Sequence, residues 1–204
     1  MAATIYTIGH SNRDVQDFLA LLLEHGLTAI ADVRSQPYSH VNPQFNRESL
    51  AEFLGKHGIA YVFLGEELGA RPRDTSCYID GKVQYDRLAR TKLFEQGLNR
   101  IERGAMRYQL ALMCAEKEPL ACHRSILVSR HLVRRGFQVS HIIDSRMAED
   151  HAASLARLLE SLGIDGVDMF NTRDELVELA YEKQAAKIAF SREYPDGTRR
   201  RESA

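Results

Sequence analysis

The side chains of this 204-residue chain that could do chemistry are concentrated in short stretches that follow apolar runs. The densest stretch is Cys122-His123-Arg124-Ser125, at the predicted start of a helix. Free backbone N–H groups and the helix dipole favour an anion at such a point, and an arginine fork suits phosphate or carboxylate. The same setting lowers the pKa of a cysteine, which makes Cys122 a candidate nucleophile. A half-buried cysteine beside an ordinary Arg124 ion pair would explain the same residues without a site.

Further candidate acid–base and ligand-binding groups follow other apolar runs. His10 lies between a glycine, which permits close backbone approach, and a serine, and could act as an acid or a base. Asp32 and Arg34 lie two residues apart and form either an ion pair or a base with a cation for phosphate. Glu116 follows Cys114 by two residues and has the same two interpretations. We predict catalytic roles for His10, Asp32, Glu116 and Cys122, and ligand contacts from Gly9, Ser11, Arg34, Asn46, Cys114, His123, Arg124 and Ser125.

The apolar pattern of the chain alternates between strand-like and helix-like segments. Such alternation produces βαβ units with right-handed crossovers. We therefore expect an α/β fold: a Rossmann-like three-layer sandwich with a mainly parallel sheet of about five strands, plus C-terminal helices. The predicted strands are 4–8, 28–33, 59–64, 107–114 and 137–143, and the predicted helices are 14–24, 47–57, 87–103, 122–135, 149–162 and 173–190.

Two stretches lack a regular period. Residues 34–46 contain two prolines and are predicted to form a loop that could cover the ligand crevice. Residues 65–86, with glycines and a proline, are predicted to form an excursion over the surface. We expect a single domain over residues 1–190 and a polar, flexible tail at 191–204. His131 and His151 fall in predicted helices, where we expect them to be solvated.

The carboxyl ends of parallel strands meet at one edge of a sheet, and open α/β sheets bind their ligands there. The reactive stretches should therefore converge. Our leading hypothesis is an enzyme or enzyme-like domain that binds a small anionic ligand, a nucleotide or other phosphorylated metabolite, for hydrolysis or group transfer. Two alternatives stay open: a non-catalytic ligand-sensing or partner-binding module, and a thiol redox or metal-binding protein.

Composition and motif spacing exclude several classes of protein. With 27 Lys+Arg against 28 Asp+Glu, no global basic field attracts nucleic acid or anionic lipid, and a nucleic-acid enzyme would need a local basic patch. The Gly-x-Gly-x-x-Gly, Walker A and Cys-x5-Arg patterns are absent, so the sequence identifies no cofactor. Cys114, Cys122, His123 and His10 offer the ligand atoms that zinc needs, but no C-x-x-C or H-E-x-x-H spacing occurs, so a metal is the less favoured interpretation. Three cysteines, with no signal peptide and no long apolar run, predict a cytoplasmic protein with free thiols and no membrane contact.

Five short motifs occur together in this chain: Tyr6-Thr7-Ile8-Gly9-His10-Ser11-Asn12, Asp32-Val33-Arg34-Ser35 with Pro37, Phe45-Asn46, Leu112-Met113-Cys114-Ala115-Glu116-Lys117 and Cys122-His123-Arg124. In combination they resemble the DUF488 family, from about Thr4 to the C-terminal helix. The resemblance implies a compact α/β domain of bacteria and archaea, and it implies no particular reaction. The residues that match the family pattern are Gly9, His10, Ser11, Asp32, Arg34, Cys114, Glu116, Cys122, His123 and Arg124.

Overall fold

The centre of the molecule is a six-stranded sheet. The computed structural model describes residues 3–145, 147–164 and 171–192. The strands of the sheet are β1 (Thr4–Gly9), β2 (Ala29–Asp32), β3 (Ala60–Phe63), β6 (Leu110–Cys114), β7 (Gln138–Ile142) and β8 (Ala148–Asp150), and β4 (Tyr78–Ile79) and β5 (Lys82–Val83) form a separate hairpin. The strand order is β3-β2-β6-β1-β7-β8, parallel throughout except for β8, which runs antiparallel to β7. The carboxyl ends of five strands therefore lie at one edge.

Helices cover both faces of the sheet. They are α1 (Val15–Glu24), α2 (Arg47–Lys56), α3 (Gly65–Leu68), α4 (Tyr85–Ala89), α5 (Lys92–Ala105), α6 (Arg130–Arg134), α7 (His151–Ser161) and α8 (Arg173–Ile188). Alternate residues of β6 point to opposite faces, as the pleat requires. Leu110 and Leu112 join a core with residues of α5 and α8, whereas Ala111 and Met113 join a second core with residues of α1 and α2. The predicted Rossmann-like α/β sandwich is confirmed, with six strands in the sheet.

The sixth strand corrects the predicted helix 149–162. Ser140 and Ile142 of β7 pair with Asp150 and Ala148, so the chain is still extended where a helix was expected. Helix α7 begins only after Asp150, whose side chain caps it by accepting a hydrogen bond from the Ala152 backbone N–H. Within the described residues no helix has the length and apolar character needed to cross a bilayer.

The middle of the chain holds more regular structure than its composition indicates. The predicted excursion 65–86 contains α3 and the β4–β5 hairpin. The predicted helix 87–103 is two helices, α4 and α5, because the Thr91 side chain caps a new helix by accepting from the Phe94 N–H. Ser191, near the end of the described residues, forms an antiparallel bridge with Lys82. Residues 193–204, most of the predicted tail, lie outside the described residues.

A buried chain of polar side chains runs through the core toward α8. Thr7 Oγ1 lies 2.7 Å from His141 Nδ1, His141 Nε2 lies 2.8 Å from His151 Nδ1, and His151 Nε2 lies 2.8 Å from the Tyr181 hydroxyl. Arg124 Nε, which can only donate, binds Thr7 Oγ1 at 3.3 Å. The Thr7 hydroxyl is then free to donate to His141, and each neutral histidine passes one hydrogen bond onward. His151 is buried, so the expectation that it is solvated is wrong.

The two buried histidines of this chain of hydrogen bonds, His141 and His151, predict a loss of stability in acid. Burial, with the neighbouring His151, lowers the pKa of His141 to about 3, and burial lowers the pKa of His151 to about 4. An unfolded histidine takes up its proton near pH 6.5, so the unfolded chain binds more protons than the folded one between these values. The free energy of unfolding should fall by about 1.4 kcal/mol per pH unit per histidine as the pH drops from 6 to 4. Urea unfolding at several pH values measures this slope.

His151→Gln should make that slope shallower, since it removes one of the histidines whose pKa is lowered. His57→Gln, at an exposed position at the end of α2, is the control and should leave the slope unchanged. Equal slopes in wild type and His151→Gln would contradict the assignment.

Candidate functional site

The segments that follow β1, β2 and β6 are held together by backbone hydrogen bonds that continue past the strand ends. The His10 N–H donates to the Cys114 carbonyl at 3.0 Å, and the Ser11 N–H donates to the Ala115 carbonyl at 2.9 Å. On the other side of β6, the Val33 N–H donates to the Met113 carbonyl at 3.0 Å. The convergence predicted for the carboxyl edge of the sheet is therefore built into the backbone.

Four reactive side chains meet at the end of β6. Glu116 Oε2 lies within hydrogen-bond reach of both thiols, 2.9 Å from Cys114 Sγ and 3.0 Å from Cys122 Sγ. His123 Nδ1 lies 3.8 Å from each of the two sulfurs. Both cysteines and His123 are buried, whereas Glu116 is on the solvent side. We call these four residues the Cys–His–Glu cluster.

The orientation of His123 is fixed from behind. Its Nε2 lies 3.0 Å from the Val33 carbonyl, which can only accept, so Nε2 carries a hydrogen. In the neutral ring Nδ1 then keeps its lone pair, directed between the two sulfurs. The backbone N–H of Arg124 also approaches the Cys122 sulfur, at 3.5 Å.

The helix that follows the cluster starts later than predicted. Cys122 has an extended backbone and ends a short 3₁₀ turn, Pro119–Ala121. The helical segment begins with a π-helical stretch, Arg124–Ser129, and continues into α6. The Ser129 hydroxyl donates to the Arg124 carbonyl at 2.7 Å, within this stretch. Single π-helical turns within α-helices occur frequently at functional sites.

Arg124 is fully buried and holds the loop that carries Glu116. Its Nη1 donates to the Glu116 carbonyl at 2.6 Å and its Nη2 to the Lys117 carbonyl at 3.0 Å. With Nε on Thr7, the guanidinium is occupied by acceptors of its own chain. The sequence predicted that this fork contacts an anion; in the structure it positions the Cys–His–Glu cluster.

The charges of the cluster depend on one another. Burial opposes ionisation of Cys122, but the hydrogen bond from Cys114 and the charges of Arg124 and His123 together lower the pKa of Cys122 well below its usual value. The hydrogen bond to Cys122, with burial, raises the pKa of Cys114. Burial lowers the pKa of His123, and the Cys122 thiolate more than reverses this. Burial, followed by the nearby thiolate, raises the pKa of Glu116. Cys122 is the more acidic of the two thiols.

A second buried network joins Asp32, Arg34 and His10. Arg34 donates to both oxygens of Asp32, at 2.9 and 2.6 Å, and to the Phe45 carbonyl at 2.8 Å. Tyr61, which sequence reasoning missed, donates its hydroxyl to Asp32 Oδ2 at 2.7 Å. His10 stacks on Phe45, and burial, with the Arg34 charge, lowers its pKa to about 4. The bidentate ion pair, the simpler of the two interpretations, fastens the 34–46 loop to β2.

A pocket of about 380 Å³ opens over the Cys–His–Glu cluster. We call it the strand-end pocket. Its wall includes Tyr85 and Phe190, from segments far apart in the chain, and Arg71, whose guanidinium lies 4.4 Å from the Phe190 ring centroid. The residues that line it are Arg34, Ser35, Gln36, Tyr38, Ala70, Arg71, Tyr85, Cys114, Ala115, Glu116, Ala121, Cys122, His123, Ile188 and Phe190.

The structure separates the predicted site residues into two groups. Arg34, Cys114, Glu116, Cys122 and His123 line the strand-end pocket. Among the residues that the structure describes, the other predicted site residues do not line this pocket. They are Gly9, His10, Ser11, Asp32, Asn46, Arg124 and Ser125.

Three of the second group have local roles in the backbone. Gly9 permits a close approach, as expected, but its neighbour is the Glu116 backbone. Asn46 Oδ1 accepts from the Ser39 N–H at 2.7 Å, within the 34–46 loop. Ser125 is fully buried in the π-helical stretch. The wall residue Tyr85 was missed because no sequence signal relates it to β6.

The fold and the site define an α/β protein with a thiol–imidazole–carboxylate cluster at the carboxyl edge of a parallel sheet. The family model described as "Domain of unknown function DUF488" matches residues 14–131, more than half of the chain, and the chain belongs to this family. The match includes all four residues of the Cys–His–Glu cluster and begins after the Gly9-His10-Ser11 motif. Comparisons with curated proteins and with solved structures give no match.

Proposed function

We propose that the protein is an enzyme that binds a small anionic ligand in the strand-end pocket and acts on it by hydrolysis or group transfer. The observation that carries this proposal is the convergence of two thiols, an imidazole and a carboxylate on a pocket of about 380 Å³. A pocket of that volume suits a metabolite-sized ligand. A nucleophile within hydrogen-bond reach of a base is the arrangement that covalent and acid–base catalysis require.

The roles follow from position. Glu116, on the solvent side with Oε2 between the sulfurs, is the proton acceptor. Cys122 presents the reactive sulfur. Arg71 recognises the anionic group of the ligand, since none of the described carboxylates pairs with its side chain. Arg34 is excluded from that role because Asp32 already neutralises its charge.

A turnover assay with a mixture of small anions tests the proposal. Wild-type protein is incubated with nucleotides, sugar phosphates and carboxylates, and consumption is followed by mass spectrometry. Glu116→Gln should lower the rate for any consumed compound about 100-fold or more, because it removes the proton acceptor but keeps the shape. Arg71→Gln should raise KM with little change in kcat, and Arg90→Gln, at an 82% exposed side chain, is the matched control.

Binding of a compound without its consumption would overturn the enzymatic proposal in favour of a ligand-sensing module. Equal rates in wild type and Glu116→Gln would place the chemistry elsewhere. We also propose a cytoplasmic location, since a reducing compartment keeps both thiols of the cluster available.

A second candidate function is thiol redox chemistry, favoured by the contact of both sulfurs with the same two groups. Oxidised glutathione would take two electrons and two protons from Cys114 and Cys122, which join as a disulfide while two glutathione thiols form. Titration after this treatment should then find two thiols lost in wild type and in Cys77→Ala. Full retention of the thiols would exclude this function.

A further inference from the structure

We propose that Cys114, Cys122 and His123 bind a soft divalent transition metal ion of the zinc class. The three ligand atoms, two sulfurs and one ring nitrogen, lie within 4.8 Å of one another. Thiolate and imidazole are the donors that zinc prefers in proteins. The inference rests on the proposed function only in that it concerns the same pocket: with the ion bound, Cys122 is a ligand, and a group in the fourth coordination position replaces its sulfur as the reactive group.

The spacing of the ligand atoms fits one shared ion. Bond lengths of about 2.3 Å to sulfur and 2.0–2.1 Å to nitrogen, in a tetrahedron, place sulfur and nitrogen roughly 3.5 Å apart. His123 Nδ1 lies 3.8 Å from each sulfur, so closure around an ion needs only small side-chain movements. The backbone would not have to rearrange.

The surroundings of the three residues are those of a metal site. The ring of His123 donates from Nε2 to the Val33 carbonyl, which fixes the tautomer that directs Nδ1 at the sulfurs. Such an outer hydrogen bond accompanies almost every histidine metal ligand. Arg124 adds rigidity because it holds the Glu116 and Lys117 carbonyls, in the loop between the two cysteines.

Glu116 stands beside the fourth coordination position. Its Oε2 is 2.9 and 3.0 Å from the sulfurs, and it lies on the solvent side toward the strand-end pocket. Three protein ligands with one position open to a pocket characterise catalytic zinc sites, whereas structural sites have four protein ligands. The carboxylate can accept a proton from a group that enters the open position, which is the role proposed for it above.

Cobalt titration of the full-length protein tests the site. Chelator-treated, reduced protein is titrated with Co²⁺, which reports tetrahedral thiolate coordination by its visible and near-ultraviolet absorption, and then with Zn²⁺. We expect one Co²⁺ per chain, displaced by Zn²⁺. Cys122→Ser and His123→Ala should weaken binding about 100-fold or more, since even outer-layer changes cost 10–100-fold. Cys77→Ala, at a buried cysteine outside the cluster, should keep the stoichiometry of one, as should Glu116→Gln.

The outcomes separate this inference from the proposed function. Absence of thiolate-to-cobalt absorption in wild type, or unchanged affinity in Cys122→Ser, would overturn the metal site. If those variants fail to fold, the wild-type spectrum and the Cys77→Ala stoichiometry still decide the matter. Turnover by chelator-treated protein would keep the enzyme and exclude its metal, whereas tight binding of one ion without any turnover would keep the metal and exclude the enzyme.

Discussion

Replacement of Arg124 by methionine should lower the free energy of unfolding by about 3–5 kcal/mol. The side chain is fully buried and donates to the Glu116 carbonyl, the Lys117 carbonyl and the Thr7 hydroxyl. Hydrogen bonds from a charged donor contribute about 1.5–3 kcal/mol each, and methionine fills a similar length without any donor. The acceptors that lose their partner would have to be rehydrated, so the 115–121 loop should move away from the sheet.

Urea unfolding measures this effect, and Arg90→Met is its control. Arg90 is 82% exposed, with Asp86 at 3.9 Å, and its replacement should change stability by less than about 0.5 kcal/mol. Arg124→Lys should fall in between, because lysine keeps the charge but lacks the planar fork that reaches two carbonyls at once. A stability of Arg124→Met within about 1 kcal/mol of wild type would show that the hydrogen bonds from Arg124 to the Glu116 and Lys117 carbonyls are not needed to hold the loop.

The sheet could be predicted because its strands carry their pattern locally. Residues 4–8 and 28–33 are apolar runs that end at chemistry-bearing residues, and β1 and β2 lie there. The edge strand β8 could not be predicted in the same way. It has three residues, and only its pairing with β7 makes it extended. The break between α4 and α5 has a local signal in Thr91, a residue type that often caps helices.

The location of the site could be predicted from the sequence, but the groups that its side chains contact could not. Parallel strands bring their ends together whatever the residues are, so Cys114, Glu116 and Cys122 could be selected as strand-end groups. The role of Arg124 could not be derived, because an arginine at a helix start looks the same whether its fork meets an anion or the carbonyls of a neighbouring loop. The zinc spacing rules also failed to select Cys114 and Cys122, since a loop of seven residues separates them and only the fold brings their sulfurs together.

Gly9 lies at the point where β1 touches the loop that follows β6. A Cβ atom at this position would be 1.9 Å from the Glu116 carbonyl oxygen and 2.7 Å from its carbonyl carbon. Both are backbone atoms, so no side-chain rotation can relieve the overlap. The same carbonyl oxygen accepts from Arg124 at 2.6 Å, and the residue that carries it places its carboxylate between the two thiols. A methyl group at Gly9 would therefore displace the carbonyl that Arg124 binds and the Cys–His–Glu cluster together.

Gly9→Ala should thus lower the free energy of unfolding by about 3 kcal/mol, at the upper end of what overpacking costs, and weaken Co²⁺ binding in the same protein. Gly55→Ala is the matched control. This glycine is in α2, where a methyl group would meet nothing outside its own helix within 4 Å, and the variant should gain about 1 kcal/mol of stability from helix propensity.

The stability and the Co²⁺ binding of Gly9→Ala, measured together, also show what sets the position of the loop. If Gly9→Ala folds with wild-type stability but loses Co²⁺, the loop has moved without strain, and its native position is set by the cluster rather than by β1. If stability and Co²⁺ binding are both unchanged, Gly9 does not hold the loop, and the close approach of β1 to Glu116 is not needed for the site.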